Sequence, residues 1–179
     1  MNTDNMSIHG LTIDYGPYGW LENFDPDWTP NTTDSRSKRY RFGNQAQIGA
    51  WNFARLLDSI APLMDEPERL YEALEYYYEA YQEHNGRMWA GKLGLEGFNA
   101  GDESLVTELT SILQRVETDM TIFFRMLSAI SRPHVDQLRF AFYNEDTIPE
   151  DEWNDWLGKW WDRVNEEPDQ EKMRRANPK

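Results

Sequence analysis

Three residues near the N-terminus carry side-chain oxygens at a spacing that can hold one small cation: Asn5 and Asp14, with Asp4 beside the pair. If His9-Gly10 is a two-residue hairpin turn, register pairs Ile8 with Leu11, Ser7 with Thr12, Met6 with Ile13 and Asn5 with Asp14. Directly opposed residues have Cβ atoms about 4.5–5.5 Å apart, so an amide oxygen and a carboxylate can share a cation. Asp4 is then a spare carboxylate. On spacing alone the trio reads equally as a metal site or as the polar base of a hairpin that holds no metal.

An Asp, an Asn and a later Asp-aromatic-Gly triplet also serve phosphoryl transfer of the protein-kinase type. There the first Asp accepts the substrate hydroxyl proton, while the Asn and the second Asp bind magnesium. Asp4, Asn5 and Asp14-Tyr15-Gly16 follow that order. A kinase, however, places four residues between its catalytic Asp and Asn, and here the two are adjacent. An ordinary protein kinase is a poor fit.

The run Asn2-Thr3-Asp4-Asn5-Met6-Ser7, followed by Gly10-Leu11-Thr12-Ile13-Asp14-Tyr15-Gly16-Pro17-Tyr18-Gly19, closely resembles the selenoprotein O family of pseudokinase-like protein nucleotidyltransferases. Asp25-Pro26, Asn31 with Asp34, Arg39-Tyr40, Asn44-Gln45, Trp51-Asn52 and Arg55-Leu56 fall in the family's order. Phe124-Arg125-Met126-Leu127 and Asn177-Pro178 resemble its later landmarks. The likeness is strong to about Leu57 and looser after it. Where the family often shows Gly-Arg-Tyr and Asn-Gln-Pro, this chain reads Lys38-Arg39-Tyr40 and Asn44-Gln45-Ala46.

The resemblance implies an Mg2+-dependent enzyme, Mn2+ being an alternative, that binds ATP in a flipped orientation. Such an enzyme transfers AMP, or UMP from UTP, to Ser, Thr or Tyr hydroxyls of proteins. Carried over, Asp4 is the proton acceptor, Asn5 and Asp14 hold magnesium, and Asp14 also lies near the nucleotide. Kinase-like folds place their glycine-rich loop and small-lobe lysine before the catalytic loop, so the resemblance further implies an internal fragment without its nucleotide-binding half. The rival readings are a stand-alone helical interaction module that has lost catalysis and a kinase-like phosphotransferase.

Composition narrows the partners. A net charge of -14 opposes nucleic-acid binding, which draws its affinity from clustered Lys and Arg. No apolar run is long enough for a transmembrane helix, so no membrane partner is expected. The absence of Cys removes disulfides and thiolate chemistry and suits a reducing, cytoplasmic setting. At 179 residues the chain can build a real core.

The elements expected to position the trio are a hairpin and long loop over residues 1–43, rich in Gly, Pro, Asn, Asp and Thr, followed by a helical region over 44–179. The fold class is thus mostly α with a short N-terminal β-hairpin, as in a protein-kinase-like C-lobe. A first helix over about Asn44–Met64 points Ile48, Trp51, Leu56, Ile60 and Leu63 inward. A second opens at Pro67, carries Leu70, Leu74, Tyr77 and Tyr81 on one face, and stops near Asn85-Gly86. A third starts near Asp102 and runs a three-and-four stripe through Val106, Leu109, Leu113, Val116, Met120, Phe123 and Leu127, ending by Ser131-Arg132-Pro133. A last helix over about Pro149–Glu166 groups Trp153, Leu157, Trp160 and Val164.

Other features read as structural. Tryptophans at helical spacing are packing residues before they are a sugar or base platform. The basic cluster Arg36, Lys38, Arg39 and Arg41 reads as a solvated or internally paired loop. Its place after the Asp14 triplet, where kinases carry an activation segment, keeps a phosphate or substrate contact as the alternative. Asp25-Pro26-Asp27 lacks the rest of a calcium loop, and His9, His84 and His134 are too scattered for zinc.

Overall fold

The computed structural model describes Ser7, His9, Leu21, residues 23–29 and residues 32–166. The chain divides into two compact units, one drawn from residues 1–21 and 25–83 and the other from 22–24 and 84–179.

In the first unit, a loop with 3-10 turns at Thr32–Asp34 and Phe42–Asn44 leads into α1 (Gln45–Ile60), which runs on into a 3-10 turn at Ala61–Leu63. Gln45 sits at the start of α1 and donates its side-chain N–H to the carbonyls of Tyr40 and Arg41, at 2.7 and 3.1 Å, tying loop to helix. Ile48, Ala50 and Leu57 are the buried apolar side chains of α1. Gly49 lies against the Tyr77 hydroxyl, where a Cβ would collide. That hydroxyl donates to the Ala46 carbonyl at 3.0 Å, so the glycine lets a tyrosine of α2 (Arg69–Leu93) seat on the α1 backbone.

The second unit holds the larger core. The C-terminal turns of α2, α3 (Asp102–Leu113), α4 (Met120–Leu127), a 3-10 segment at Val135–Ala141 and α5 (Glu150–Glu166) contribute to one apolar cluster. Trp153, Trp156 and Trp160 are fully or almost fully buried on one face of α5. A buried indole N–H usually finds a partner; that of Trp153 is buried with none among the described residues, while those of its two neighbours are paired. Trp156 Nε1 donates to the Leu105 carbonyl and Trp160 Nε1 to the Leu93 carbonyl, each at 2.9 Å. The two rings stack at 6.3 Å with 11° between planes, and Trp153 meets Trp156 edge-on. Next on α5, Arg163 forms a two-pronged pair with the buried Asp102 at 2.8 and 3.2 Å. Asp102 also accepts the Asn99 amide at 2.8 Å, which fixes the first turn of α3.

Four sequence expectations are corrected. No strand occurs among the described residues, whose β pairing is one antiparallel bridge between Thr118 and Phe142, so the architecture is helical and the N-terminal β-hairpin is withdrawn. At Ser7 the hydroxyl accepts the His9 amide at 3.2 Å, a local bond that competes with ladder pairing. The other residues of the expected hairpin lie outside the described residues. Secondly, α2 runs past Asn85-Gly86 to Leu93. Gly86 is buried, and a Cβ there would stand 3.2 Å from Phe98, so the glycine admits a packed ring instead of ending the helix.

Thirdly, the stripe from Val106 to Leu127 spans two helices. The chain breaks between α3 and α4, where the Asp119 amide donates to Ala141 at 2.8 Å and the Tyr143 amide to Glu117 at 3.1 Å. The Asp119 side chain then caps α4 by accepting the Ile122 amide at 2.9 Å. Finally, Trp51 and Leu63 are not core residues: they are 43% and 86% exposed. The last helix stands as expected, its Trp153, Leu157, Trp160 and Val164 all buried.

The indole bonds give a stability test. Trp160→Phe should cost about 1–3 kcal/mol, because the Leu93 carbonyl loses its buried partner, with part of the ring area also lost. Urea unfolding followed by far-UV circular dichroism reads this directly, and an unchanged midpoint would show that the bond contributes nothing.

Candidate functional site

Asp4, Asn5 and Asp14 lie outside the described residues. Among the described residues, no three His, Cys, Asp or Glu side chains converge to hold a metal ion. His84 and His134 stand on separate elements, and His134 is occupied in capping the 3-10 segment by accepting the Asp136 amide at 3.3 Å.

The described segment nearest to the trio in sequence that is held by a dense set of bonds is the loop over residues 32–44, which is organised around one carboxylate. Asp34, 7% exposed, accepts the Ser37 hydroxyl at 2.5 Å, the Arg39 amide at 3.0 Å and the Tyr40 amide at 2.7 Å. Its own carbonyl accepts the Lys38 amide at 2.8 Å. These bonds curl the loop around the carboxylate. The Ser37 hydroxyl first, then the Tyr40 amide, hold the Asp34 carboxyl below its ordinary pKa. Sequence reading placed Asp34 among the family landmarks but missed this role. The signal was present as an Asp three residues ahead of a Ser within a polar loop.

Tight curling has a local cost. Lys38 stands at φ 48°, in the left-handed region that disfavours a side chain. The departure from the family's glycine at this position therefore falls where the backbone favours glycine. Neighbouring bonds hold the strained turn: the Lys38 carbonyl accepts the Arg41 amide at 3.2 Å and an Arg41 side-chain N–H at 3.2 Å. The Asn44 side chain donates to the Arg39 carbonyl at 2.6 Å.

The four basic residues divide into two kinds. Arg41 pairs with Asp27 at 3.1 Å, as an internally paired loop would have it. Arg39 lies over the exposed Trp51 ring at 4.5 Å, with the Arg55 guanidinium 5.7 Å from the same ring. Arg55 is itself paired with Asp58 at 2.8 Å. Arg36 and Lys38 are exposed.

Several charged groups in the second unit are tied up in ion pairs. Lys159 is shared between Glu108 and Asp155, each at 2.8 Å, and Arg139 bridges Asp136 and Glu150. Half-buried Lys92 sits 4.5 Å from the centre of the Phe124 ring, and burial lowers its pKa. No helix of the described residues is long and apolar enough to cross a membrane.

Comparison with known proteins bears on the whole chain. A family model described as Protein adenylyltransferase SelO matches residues 1–179. A relative named Protein nucleotidyltransferase YdiU from Aromatoleum aromaticum is 51% identical over 171 residues, covering 93% of this chain and 33% of the relative. One of the same name from Flavobacterium johnsoniae is 46% identical over 192 residues, covering 100% and 37%. Another from Rhodopirellula baltica is 54% identical over 131 residues, covering 73% and 24%. The chain thus spans about a third of the length of the first two relatives.

Two tests address the loop. Lys38→Gly should stabilise the first unit by about 1 kcal/mol by relieving the left-handed strain, seen as a raised thermal midpoint; a lowered one would contradict the strain. Because the folded-state pKa of Asp34 is depressed, its contribution is present above the unfolded carboxylate value of about 4 and is lost as pH falls through the folded value. Asp34→Asn should therefore destabilise the loop at neutral pH, with a wild-type advantage that shrinks as pH drops below about 4. An advantage independent of pH would rule out the charge as its source.

Proposed function

Because the chain belongs to the protein adenylyltransferase SelO family, we propose that it is part of a protein nucleotidyltransferase that moves AMP from ATP to Ser, Thr or Tyr hydroxyls of acceptor proteins. UMP transfer from UTP is the same reaction with another base. The observation that carries this reading is the family match across residues 1–179 together with the Asp4, Asn5 and Asp14 pattern within it. The helical architecture of the described residues supports a kinase-like C-lobe as its setting.

In this reading the acceptor oxygen bonds to the α-phosphorus, the bond to the bridging oxygen breaks, and pyrophosphate leaves. Asp4 takes the proton from the attacking hydroxyl, raising its nucleophilicity at the moment of attack. Asn5 and Asp14 offer one neutral and one anionic oxygen donor. Such a set fits Mg2+, which keeps several waters and binds few protein ligands, and Mn2+ suits the same donors. The ion would neutralise charge on the phosphate oxygens. With a single carboxylate in the pair, Asn5 and Asp14 leave net positive charge for the nucleotide to satisfy. Asp4, adjacent in sequence, stays available for its proton.

The test uses the protein at the full length its gene encodes. Asp4→Ala and Asp14→Ala should each abolish the gain of one AMP on an acceptor protein, read by intact mass, while circular dichroism stays unchanged. Full transfer by either variant would remove that residue from the chemistry. Gain of a phosphate in place of AMP would favour a kinase-like phosphotransferase, and no transfer by the wild type would favour a helical interaction module.

A further inference from the structure

The loop around Asp34 is built, yet nothing in the reaction just described uses it. Its bonds to the Ser37 hydroxyl and to the Arg39 and Tyr40 amides fix the backbone that carries Arg36, Lys38 and Arg39. Among the described residues, these three cations make no ion pair with a carboxylate, in contrast to Arg41 and Arg55. Arg39 is held over the Trp51 ring and feels the Asp34 charge, while Arg36 and Lys38 are exposed, so one short loop gathers three cations in a chain of net charge -14.

Arg39 adds geometry. Its guanidinium carbon lies over the Trp51 ring, 4.5 Å from the ring centre. Among the described residues its N–H donors make no ion pair, and a guanidinium fork matches a carboxylate in two-pronged fashion. Trp51, 43% exposed, adds an apolar surface beside that charge.

We propose that this loop, with Trp51 beneath Arg39, docks an acidic segment of the acceptor protein; the choice of an acceptor as partner rests on the nucleotidyltransferase reading. Charge complementarity selects the occupant. A single anion in water gains little from exposed cations, whereas a peptide with several carboxylates can engage all three and lay aliphatic carbons on the indole. A nucleic acid also offers anions, but its phosphates recur every ~1.7 Å of duplex axis and would run on to a surface of the same sign. A short acidic peptide carries only a few charges and ends where the patch ends, so little of it is laid on like charge. Holding such a segment on a fixed loop would favour acceptors whose target hydroxyl is flanked by Asp and Glu.

The probe is a fluorescein-labelled peptide in which one serine is flanked on each side by a run of four glutamates, titrated by anisotropy with the full-length protein in low salt. Binding should weaken about ten-fold in the Arg36→Glu, Lys38→Glu double variant, as two attractive contacts become repulsive. Arg39→Ala should also weaken it, and in the wild type added salt should weaken it progressively. The same peptide with every glutamate replaced by lysine, and a labelled oligothymidylate of similar length, should each bind at least ten-fold more weakly than the acidic peptide. Equal binding by wild type and double variant, binding insensitive to salt, or tighter binding of the oligonucleotide would each overturn the proposal. AMP transfer by the wild type, measured separately, judges the parent reading: its absence would end the nucleotidyltransferase assignment without altering the peptide result.

Discussion

The larger core depends on pairing two buried indole N–H groups with backbone carbonyls. Trp156 and Trp160 bring much of the apolar area of α5 into the second unit, and pairing their N–H groups avoids the burial cost that the unpaired Trp153 N–H bears. The acceptors are the carbonyl of Leu93, at the end of α2, and that of Leu105, in the first turn of α3. Both helices are thereby set against α5 by directional bonds as well as by packing. The adjacent pair between Arg163 and Asp102 extends the same constraint, since Asp102 also holds the turn entering α3. Removing either partner would strand a charge with little access to water.

The first unit solves its problem with a different device. Its loop is too polar for a core of its own, so Asp34 substitutes for one by collecting a hydroxyl and two amides around a single carboxylate. The strained Lys38 shows that this closure is favourable enough to hold a non-glycine residue in left-handed backbone. The Asn44 and Gln45 side chains link the loop carbonyls to the start of α1, so the loop and the helix it leads into are ordered together.

Legibility in the sequence followed the locality of the controlling interaction. The α5 face was readable because Trp153, Leu157, Trp160 and Val164 recur at helical spacing within one element. The break between α3 and α4 was not, because both helices keep the same three-and-four stripe on either side and the bond that interrupts it comes from Ala141. Gly86 read as a terminator because nothing local announces that Phe98 packs against it. Trp51 read as core because its amphipathic position does not reveal that an arginine covers its ring. The expected hairpin rested on register and on the turn-rich composition of residues 1–43, and the helical architecture of the described residues corrects it. Of the site, residue order and donor type were readable at Asp4, Asn5 and Asp14. Their roles came through the resemblance, since two carboxylates and an amide serve many structures that bind no metal.

The measurement that tests the central claim most directly compares ATP labelled at the α-phosphate with ATP labelled at the γ-phosphate, each incubated with the full-length protein, Mg2+ and an acceptor protein. Nucleotidyl transfer predicts covalent label on the acceptor from the α-labelled nucleotide, none from the γ-labelled one, and release of labelled pyrophosphate from the latter. Label on the acceptor from the γ-position, or from neither, would contradict the account.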